Sequence, residues 1–236
     1  GKTFSIRRTP EQASAIGLYA RATAGFTERV AETVALLRQA ADTGAATQAS
    51  SLGGEDMLIT HLINAHVLPI PVFVLETGAL HADTLALLER LQARQAEHPQ
   101  APLTVYRPVA EAVVQFVARE GQEAMYQSIE LRKACCGIRK MEPLARALAG
   151  KSAWITGLRR EQSGARAEVP FIDDSELATK GLRKFNPLAA WSWADVWHYI
   201  DQHSVDFNPL HDRFFPSIGC EPCTRAIAVG EDFRAG

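Results

Sequence analysis

Four cysteines in two pairs carry the most distinctive chemistry of this chain. Cys135 and Cys136 are adjacent in KACCGIRK, whereas two residues separate Cys220 from Cys223 in GCEPCTR. The second spacing lets both thiolates bind one metal centre, but adjacent cysteines are hard to place on a single tetrahedral zinc. An iron–sulfur cubane has separate attachment points and accepts thiolates from neighbouring residues, one per iron. Geometry therefore favours a cluster over zinc.

Two other readings of the cysteines stay open. Buried, reduced pairs are disfavoured because Arg139, Lys140 and Arg225 lie nearby in the sequence, and cations stabilise thiolate over thiol. Disulfides are disfavoured because the start GKTFSIRRTP has no apolar signal segment, although the adjacent pair could still oxidise on itself. No apolar run approaches the roughly 20 residues that span a bilayer, so we expect a cytoplasmic protein without a membrane partner.

A second candidate site is the segment ATQASSLGGEDMLITHLINAHV. We interpret it as a weak strand, a loop over 50–55 and a helix from about Asp56. The Ser50 and Ser51 hydroxyls, Gly53 and Gly54, and the first amides of the helix would together bind an anion. The alternative is an ordinary strand-to-helix turn, in which acidic residues merely favour the helix N-terminus. Neither GxxxxGK[ST] nor GxGxxG is present.

Two further features point to an anionic, partly planar ligand. In LETGALHADT, the Thr77–Gly78 pair would let backbone groups reach a planar ligand edge, although a plain turn is the alternative. Arginine side chains suit the binding of sulfate and phosphate oxygens. Four arginines occur in GLRREQSGAR and near the end of the chain: Arg159, Arg160, Arg166 and Arg234. Each of them alone could be an ordinary solvated surface charge.

The elements that must position these residues alternate along the chain. Three segments are typical of strands: PVFVLE, LTVYRP and SAWITG. Four segments are typical of helices: TPEQASAIGLYA, ERVAETVALLRQAAD, HADTLALLERLQAR and AEAVVQFVARE. Thr9 would be the N-cap of the first of these helices. We predict an α/β fold with a mostly parallel central sheet flanked by helices. With 236 residues and a net charge of -2, the chain predicts one domain and no general attraction to nucleic acid.

Several aromatic and histidine residues are assigned to packing. Trp191, Trp193 and Trp197 favour core packing over base stacking, and Asp195 favours the start of a helix. We interpret three histidines without paired ligand spacing as surface or structural residues: His198, His203 and His211.

Both cysteine segments, KACCGIRKMEPLARAL and PSIGCEPCTRA, resemble the paired signature of assimilatory adenylyl-sulfate (APS) reductases of the branch that carries a [4Fe-4S] cluster. Five further segments resemble the same family in the same order, over roughly residues 45–234: SSLGGEDM, LETGALH, GLRREQS, FNPLAAWSWADVWHYI and FNPLHDRFFPSIGC. Relatives that act on phosphoadenylyl sulfate (PAPS) generally lack the cysteines, so the resemblance favours APS.

The resemblance implies an adenine nucleotide α-hydrolase-like fold in which the 50–56 loop is a modified PP-loop. Lys140 would act electrostatically in catalysis, and Leu75 and Thr77 would lie on the adenine side. All four cysteines would be cluster ligands: Cys135, Cys136, Cys220 and Cys223. The full set of implied substrate-binding residues is Ser50, Ser51, Leu52, Gly53, Gly54, Glu55, Leu75, Thr77, Gly157, Arg166 and Arg234.

The implied activity is reduction of APS to sulfite and AMP through an enzyme S-sulfocysteine, with thioredoxin as reductant, in an enzyme assembled from identical subunits. The family's nucleophile is a cysteine in a C-terminal tail. This chain ends at EDFRAG and has no fifth cysteine, so we expect residues 1–236 to form one reductase domain without its catalytic tail.

Three alternatives remain. The protein could be a PAPS reductase or a non-catalytic, zinc-stabilised nucleotide binder. A PP-loop iron–sulfur enzyme that thiolates RNA would be expected to show an SGGxDS loop and a basic surface, and the sequence shows neither. The loop SSLGGED also makes cleavage of ATP an unexpected activity.

Overall fold

Short apolar strands alternate with amphipathic helices to build a mostly parallel sheet. The computed structural model describes residues 14–78, 80–109, 141–162 and 168–213. Its six strands are β1 Ala46–Ser50, β2 Val72–Leu75, β3 Leu103–Tyr106, β4 Ala153–Ile155, β5 Ile172–Asp173 and β6 Arg183–Phe185. The sheet order is β3-β2-β1-β4-β6-β5. Among the strand pairs of the described residues, only β5–β6 is antiparallel, so the predicted fold class is confirmed.

The helices of the described residues alternate with these strands along the chain. They are α1 Ala15–Tyr19, α2 Phe26–Ala41, α3 Gly54–Ala65, α4 Ala82–Gln95, α5 Glu142–Leu148, α6 Leu177–Lys180 and α7 Trp193–His203, with 3-10 turns at Arg160–Gln162 and Pro209–Arg213. Ser14 caps α1 by accepting a hydrogen bond from the Gly17 amide at 3.0 Å. The predicted cap Thr9 and the predicted helix AEAVVQFVARE lie outside the described residues.

The helix α3 begins two residues earlier than its predicted start at Asp56. Gly53 is the N-cap in an extended conformation, and Gly54 already has helical geometry. A Cβ on Gly54 would lie 3.4 Å from Ile200 Cδ1 and 3.6 Å from the Trp197 ring, which shows that this first turn lies against α7. The loop between β1 and α3 is therefore only three residues long, over 51–53.

The core lies between the sheet and the packed faces of α2, α3 and α7. Trp191 and Trp197 are completely buried within it, which confirms that they pack in the core. Trp193 is partly buried against the same cluster. Asp195 completes a capping box with Ser192 at the start of α7, as its predicted position at a helix start requires.

The buried side chain of Gln48, on the central strand β1, forms hydrogen bonds inside the fold. Gln48 donates to the Asp56 carbonyl oxygen at 2.9 Å and accepts from the Thr60 hydroxyl at 2.7 Å. These bonds tie β1 to the first turns of α3.

Among the helices of the described residues, none combines the length and the apolar composition that crossing a membrane requires.

Candidate functional site

The site lies where the direction of strand addition reverses. β1 pairs with β2 on one side and with β4 on the other. In parallel α/β sheets, ligands bind outside the carboxyl ends of the strands at such a switch point. Here the segments that follow β1 and β4, residues 51–56 and 156–162, come together, and the segment after β2 lies on the far side of β1.

The loop after β1 has an unusual backbone at Leu52. This residue has a φ of 66°, in the left-handed region, and its side chain is fully buried. The Ser50 hydroxyl accepts a hydrogen bond from the Leu52 amide at 3.1 Å, which stabilises the turn. A side chain in this conformation costs on the order of 1 kcal/mol, and such strain is concentrated at functional sites. The left-handed residue of this loop is therefore Leu52, and neither Gly53 nor Gly54.

Asp56 places a buried carboxyl group directly beneath the loop. Its Oδ2 accepts hydrogen bonds from the Ser51 amide at 2.7 Å and from the Ser51 hydroxyl at 2.9 Å. Burial raises the pKa of Asp56 to about 7, the hydrogen bonds from Ser51 lower it, and the neighbouring Glu55 raises it further. One of the donors predicted to bind an anion, the Ser51 hydroxyl, is thus directed at an internal carboxyl group whose pKa is raised to about 7.

Gly157 is the point of closest approach between the two loops. A Cβ at this position would lie 2.6 Å from Asp56 Oδ1 and 2.9 Å from Glu55 Cβ. Real Cβ atoms do not approach heavy atoms so closely, so only glycine fits between the β4 loop and the first turn of α3. The absence of a side chain at position 157 therefore determines how closely the β4 loop can approach the first turn of α3.

A buried ion pair joins the same two segments. Arg159 Nε donates to Glu55 Oε1 at 3.0 Å, and the Arg159 side chain has no exposed surface. The guanidinium also lies 5.0 Å from the Trp193 ring centroid. Arg159 was interpreted as one of several cations for an anionic ligand. In this structure its buried charge is paired with Glu55 and also with Glu161, and contact with a ligand stays a prediction.

Arg160 faces away from this pair. Its Nε donates to the Val169 carbonyl oxygen at 2.7 Å, and its guanidinium lies 4.8 Å from the Phe171 ring centroid. These contacts hold the loop after β4 against the segment that leads into β5.

The carboxyl end of β2 forms the other wall. Leu75 ends the strand, and Thr77 is buried just beyond it. Gly78 has a φ of 79°, which favours glycine, and its amide donates to Glu76 Oε1 at 2.7 Å. An open cleft of about 470 Å³ adjoins this turn on the side of α4 and Arg107, and no described residue of the loops after β1 and β4 lines it.

Comparison with known proteins identifies the family to which this site belongs. Residues 45–226 match the family model of the phosphoadenosine phosphosulfate reductase domain. The chain belongs to this reductase family. It is 52% identical over 188 residues to an adenosine 5'-phosphosulfate reductase of Burkholderia cepacia, covering 80% of this chain and 73% of the relative. Identity to the protein of the same name from Allochromatium vinosum is 50% over 188 residues, covering 80% of this chain and 71% of the relative.

Solved structures support the same assignment. A phosphoadenylyl-sulfate (PAPS) reductase from Candida auris, in a phosphate complex, superposes with a TM-score of 0.67 and 27% identity, over 82% of this chain and 90% of that one. An FMN adenylyltransferase from Candida glabrata, at 13% identity and a TM-score of 0.56 over 87% of this chain and 68% of that one, shares the fold alone. The predicted resemblance to the reductase family is confirmed.

The reductase fold gathers nine of the predicted site residues at the carboxyl ends of β1, β2 and β4: Ser50, Ser51, Leu52, Gly53, Gly54, Glu55, Leu75, Thr77 and Gly157. The remaining ones lie outside the described residues: Cys135, Cys136, Lys140, Arg166, Cys220, Cys223 and Arg234. Within the described part of the chain, no three or more His, Cys, Asp and Glu side chains form a group that could hold a metal ion.

Two residues of this reductase site were not predicted from the sequence. Asp56 was interpreted only as a favourable charge at the helix N-terminus, because the sequence does not show that its carboxyl group is buried. His211 was predicted to be a surface or structural residue, and it is 3% exposed. Its Nε2 accepts a hydrogen bond from the Gly54 amide at 3.1 Å. No local pattern links His211 to a loop so distant in sequence, so only the fold shows this contact.

Proposed function

We propose that this protein reduces adenylyl sulfate (APS) to sulfite and AMP in sulfate assimilation. One observation carries the proposal. A chain 52% identical to a protein named adenosine 5'-phosphosulfate reductase brings its β1 and β4 loops together at the switch point of the sheet. That position suits a nucleotide whose anionic end faces the first turn of α3.

PAPS is the second candidate substrate, because the structural relative from Candida auris is a PAPS reductase. PAPS differs from APS by an additional phosphate on the ribose. The two cysteine pairs, which the family resemblance connects with the APS-specific branch, and the relatives at about 50% identity favour APS.

The described residues would bind the nucleotide from three sides. Leu75 and Thr77 would lie along the adenine, and the loop from Ser50 to Glu55 would hold the anionic end. Gly157 would let the β4 loop approach closely, since no side chain fits there. Lys140, Arg166 and Arg234 would supply the positive charge around the phosphosulfate.

The reaction would proceed by thiol chemistry in two steps. A cysteine thiolate of the full-length protein attacks the sulfur of APS, the bond from that sulfur to the bridging oxygen breaks, and AMP leaves as an S-sulfocysteine forms. One thiolate of thioredoxin then attacks the Sγ of the sulfocysteine, so the bond from Sγ to the sulfo group breaks, sulfite leaves and a mixed disulfide forms. The second thiol of thioredoxin attacks the thioredoxin sulfur of that disulfide, which forms the thioredoxin disulfide and returns the enzyme cysteine as a thiol. Negative charge grows on the bridging oxygen in the first step, and removing one stabilising group there typically costs on the order of a hundredfold in rate.

Cys135, Cys136, Cys220 and Cys223 would hold a [4Fe-4S] cluster. Four thiolates are the ligand set that this cluster takes in proteins, so the donor set of the sequence fits it. When bound, the cluster would supply structural support and a fixed charge beside the substrate. Lys140 follows the first pair closely in sequence, which supports an electrostatic role near that charge.

The covalent intermediate gives the experiment for this proposal. The full-length protein is incubated with APS without reductant and analysed by intact-protein mass spectrometry. We expect one cysteine to gain the mass of a sulfo group, and reduced thioredoxin to remove it with release of sulfite. A protein that releases AMP from APS with no added mass would contradict the thiol mechanism. The cytoplasmic location and the homo-oligomeric state stay predictions from the sequence.

A further inference from the structure

The first amide of α3 is capped by a histidine from a distant part of the chain. Gly54 donates its backbone N–H to Nε2 of His211 at 3.1 Å, in a buried contact. An α-helix leaves its first four amides without partners inside the helix, and side chains, water or ligands bind them instead. In this protein, an imidazole from the 3-10 turn Pro209–Arg213 takes one of the amides that the sequence analysis assigned to an anion.

The chemistry of this hydrogen bond defines the state of His211. A backbone amide only donates, so Nε2 must be the acceptor and must carry no proton. The neutral ring then has its proton on Nδ1. A doubly protonated imidazolium could not accept this bond, and its charge would face the positive end of the α3 dipole.

Neighbouring rings hold the imidazole in place. The His211 ring packs against two tryptophans of α7 that also contact each other, with centroid distances of 5.8 Å to Trp193 and 5.2 Å to Trp197. Interplanar angles of 65° and 75° put these rings nearly edge to face. A Cβ on Gly54 would lie at ordinary contact distances, 3.8 Å from Nε2 and 3.4 Å from Ile200 Cδ1, so the His211 ring and α7 lie directly against this first turn.

The turn that carries His211 is fixed from the other side by α4. Asn208, which is completely buried, donates from Nδ2 to the Thr84 hydroxyl at 2.8 Å. Its Oδ1 accepts from the Leu210 amide at 3.0 Å, and its carbonyl oxygen accepts from the His211 amide at 3.0 Å. The position of the imidazole is thus determined by α4 and α7, independently of the loop that it contacts.

We infer that His211 is a positioning residue for APS reduction, which holds the 51–56 loop in its substrate-binding shape through the Gly54 amide. The inference rests on the proposed function and goes beyond it in one respect. The Gly54 amide donates its hydrogen bond to His211 and therefore does not bind the phosphosulfate. Other donors of the loop would bind that group. His211 itself touches no reacting atom.

Two substitutions separate the acceptor from the bulk of the side chain. His211→Gln can place an amide oxygen near the position of Nε2, whereas His211→Leu fills similar space without an acceptor. His198→Leu is the matched control, since His198 is a partly buried histidine that packs on Phe26 of α2. Turnover of APS by the full-length protein and calorimetric affinity for AMP are measured for each variant.

His211→Leu is expected to raise the KM for APS and the Kd for AMP on the order of tenfold, because a buried amide is left without its acceptor. The kcat should change less than the KM. His211→Gln should recover most of the affinity, and His198→Leu should keep the wild-type values.

Three results would overturn the inference. One is a His211→Leu protein that melts at a lower temperature but keeps the wild-type KM and Kd, which is the behaviour of a purely structural residue. Another is a His211→Gln protein as weak as His211→Leu. If His211→Leu fails to fold, His211→Asn, whose shorter amide cannot reach the Nε2 position, replaces it, and equal affinities of the Asn and Gln variants would be the contradicting result. A wild-type protein that binds AMP but does not turn over APS would refute the proposed function, while the AMP affinities still test His211.

Discussion

Gly157 is the residue at which the geometry of the site depends most directly on side-chain size. Gly157→Ala would place a Cβ 2.6 Å from Asp56 Oδ1, so the β4 loop and the start of α3 must move apart. We expect a loss of unfolding free energy on the order of 1–3 kcal/mol, as overpacking usually causes, and a higher KM for APS. Chemical denaturation and steady-state kinetics measure the two effects.

A control for this substitution exists in α1. Gly17→Ala adds a methyl group on an exposed helix position, where the nearest atom, Ser14 Oγ, would be at an ordinary contact distance of 3.4 Å. Alanine is the better helix former, so this variant should be at least as stable as the wild type. Equal effects of the two substitutions would refute the steric explanation for Gly157.

Asp56 should make the stability of the protein depend on pH. Its pKa rises from 3.8 to about 7 in the folded state because the carboxyl group is buried. Between those two pKa values the folded protein keeps a proton that the unfolded chain has lost, so this residue's contribution to stability decreases as pH rises through the interval. Above about pH 7 the contribution levels off at its lowest value.

Asp56→Asn removes this titration while keeping an oxygen that can accept from Ser51. The free energy of unfolding of the wild type, minus that of the variant, should therefore fall as pH rises from 3.8 to about 7 and then stay constant. Urea denaturation at a series of pH values measures the difference. A difference that is independent of pH would show that folding does not raise the pKa of Asp56.

At the scale of elements, the buried pair of Glu55 and Arg159 connects α3 with the loop after β4. Arg159→Met would leave the Glu55 carboxylate buried without its cation, which typically costs about 3–5 kcal/mol of stability. Adding Glu55→Gln to Arg159→Met removes the unpaired charge and should restore a large part of that loss. The four proteins of this double-mutant cycle are compared by denaturant unfolding. If Glu55→Gln lowers the stability of the Arg159→Met protein further, the ion pair is not what joins the two segments.

The elements were largely predictable because their periodicity is local. β2, β3, β4 and α4 have the positions that their apolar patterns indicated. α3 begins at Gly54, two residues before the start predicted at about Asp56, because two adjacent glycines are typical of a loop. The packing of α7 against Gly54 is a tertiary contact that the sequence does not show. The contact of His211 with Gly54 and the pairing of Arg159 with Glu55 join residues far apart in sequence, and no spacing rule predicts such tertiary contacts.

For the whole molecule, the sheet order was not predictable in detail, but the edge of the sheet at which the candidate loops lie was. Alternating strands and helices imply parallel strands, and parallel strands place their following loops at one edge of the sheet. The described residues of SSLGGED, LETGALH and GLRREQS lie at the carboxyl ends of β1, β2 and β4, as that rule predicts, and their contact with a ligand stays a prediction. The charge of the site was less predictable, because burial changes the state of Asp56 and the buried Arg159 is paired with Glu55.

The four cysteines give a prediction for the whole chain. Protein purified without air should contain iron and acid-labile sulfide in equal amounts, about four of each per chain, with a broad visible absorption band. Replacing either member of a pair, for example Cys220→Ser, should lower the iron content and bleach that band. Zinc without sulfide in the wild-type protein would instead favour the non-catalytic nucleotide binder.

Substrate choice tests the central claim most directly. The full-length protein is assayed for sulfite release from APS and from PAPS in separate reactions, with reduced thioredoxin as the electron donor. The account predicts a much higher kcat/KM for APS, together with release of AMP. A higher kcat/KM for PAPS, or thioredoxin-dependent sulfite from PAPS alone, would contradict it.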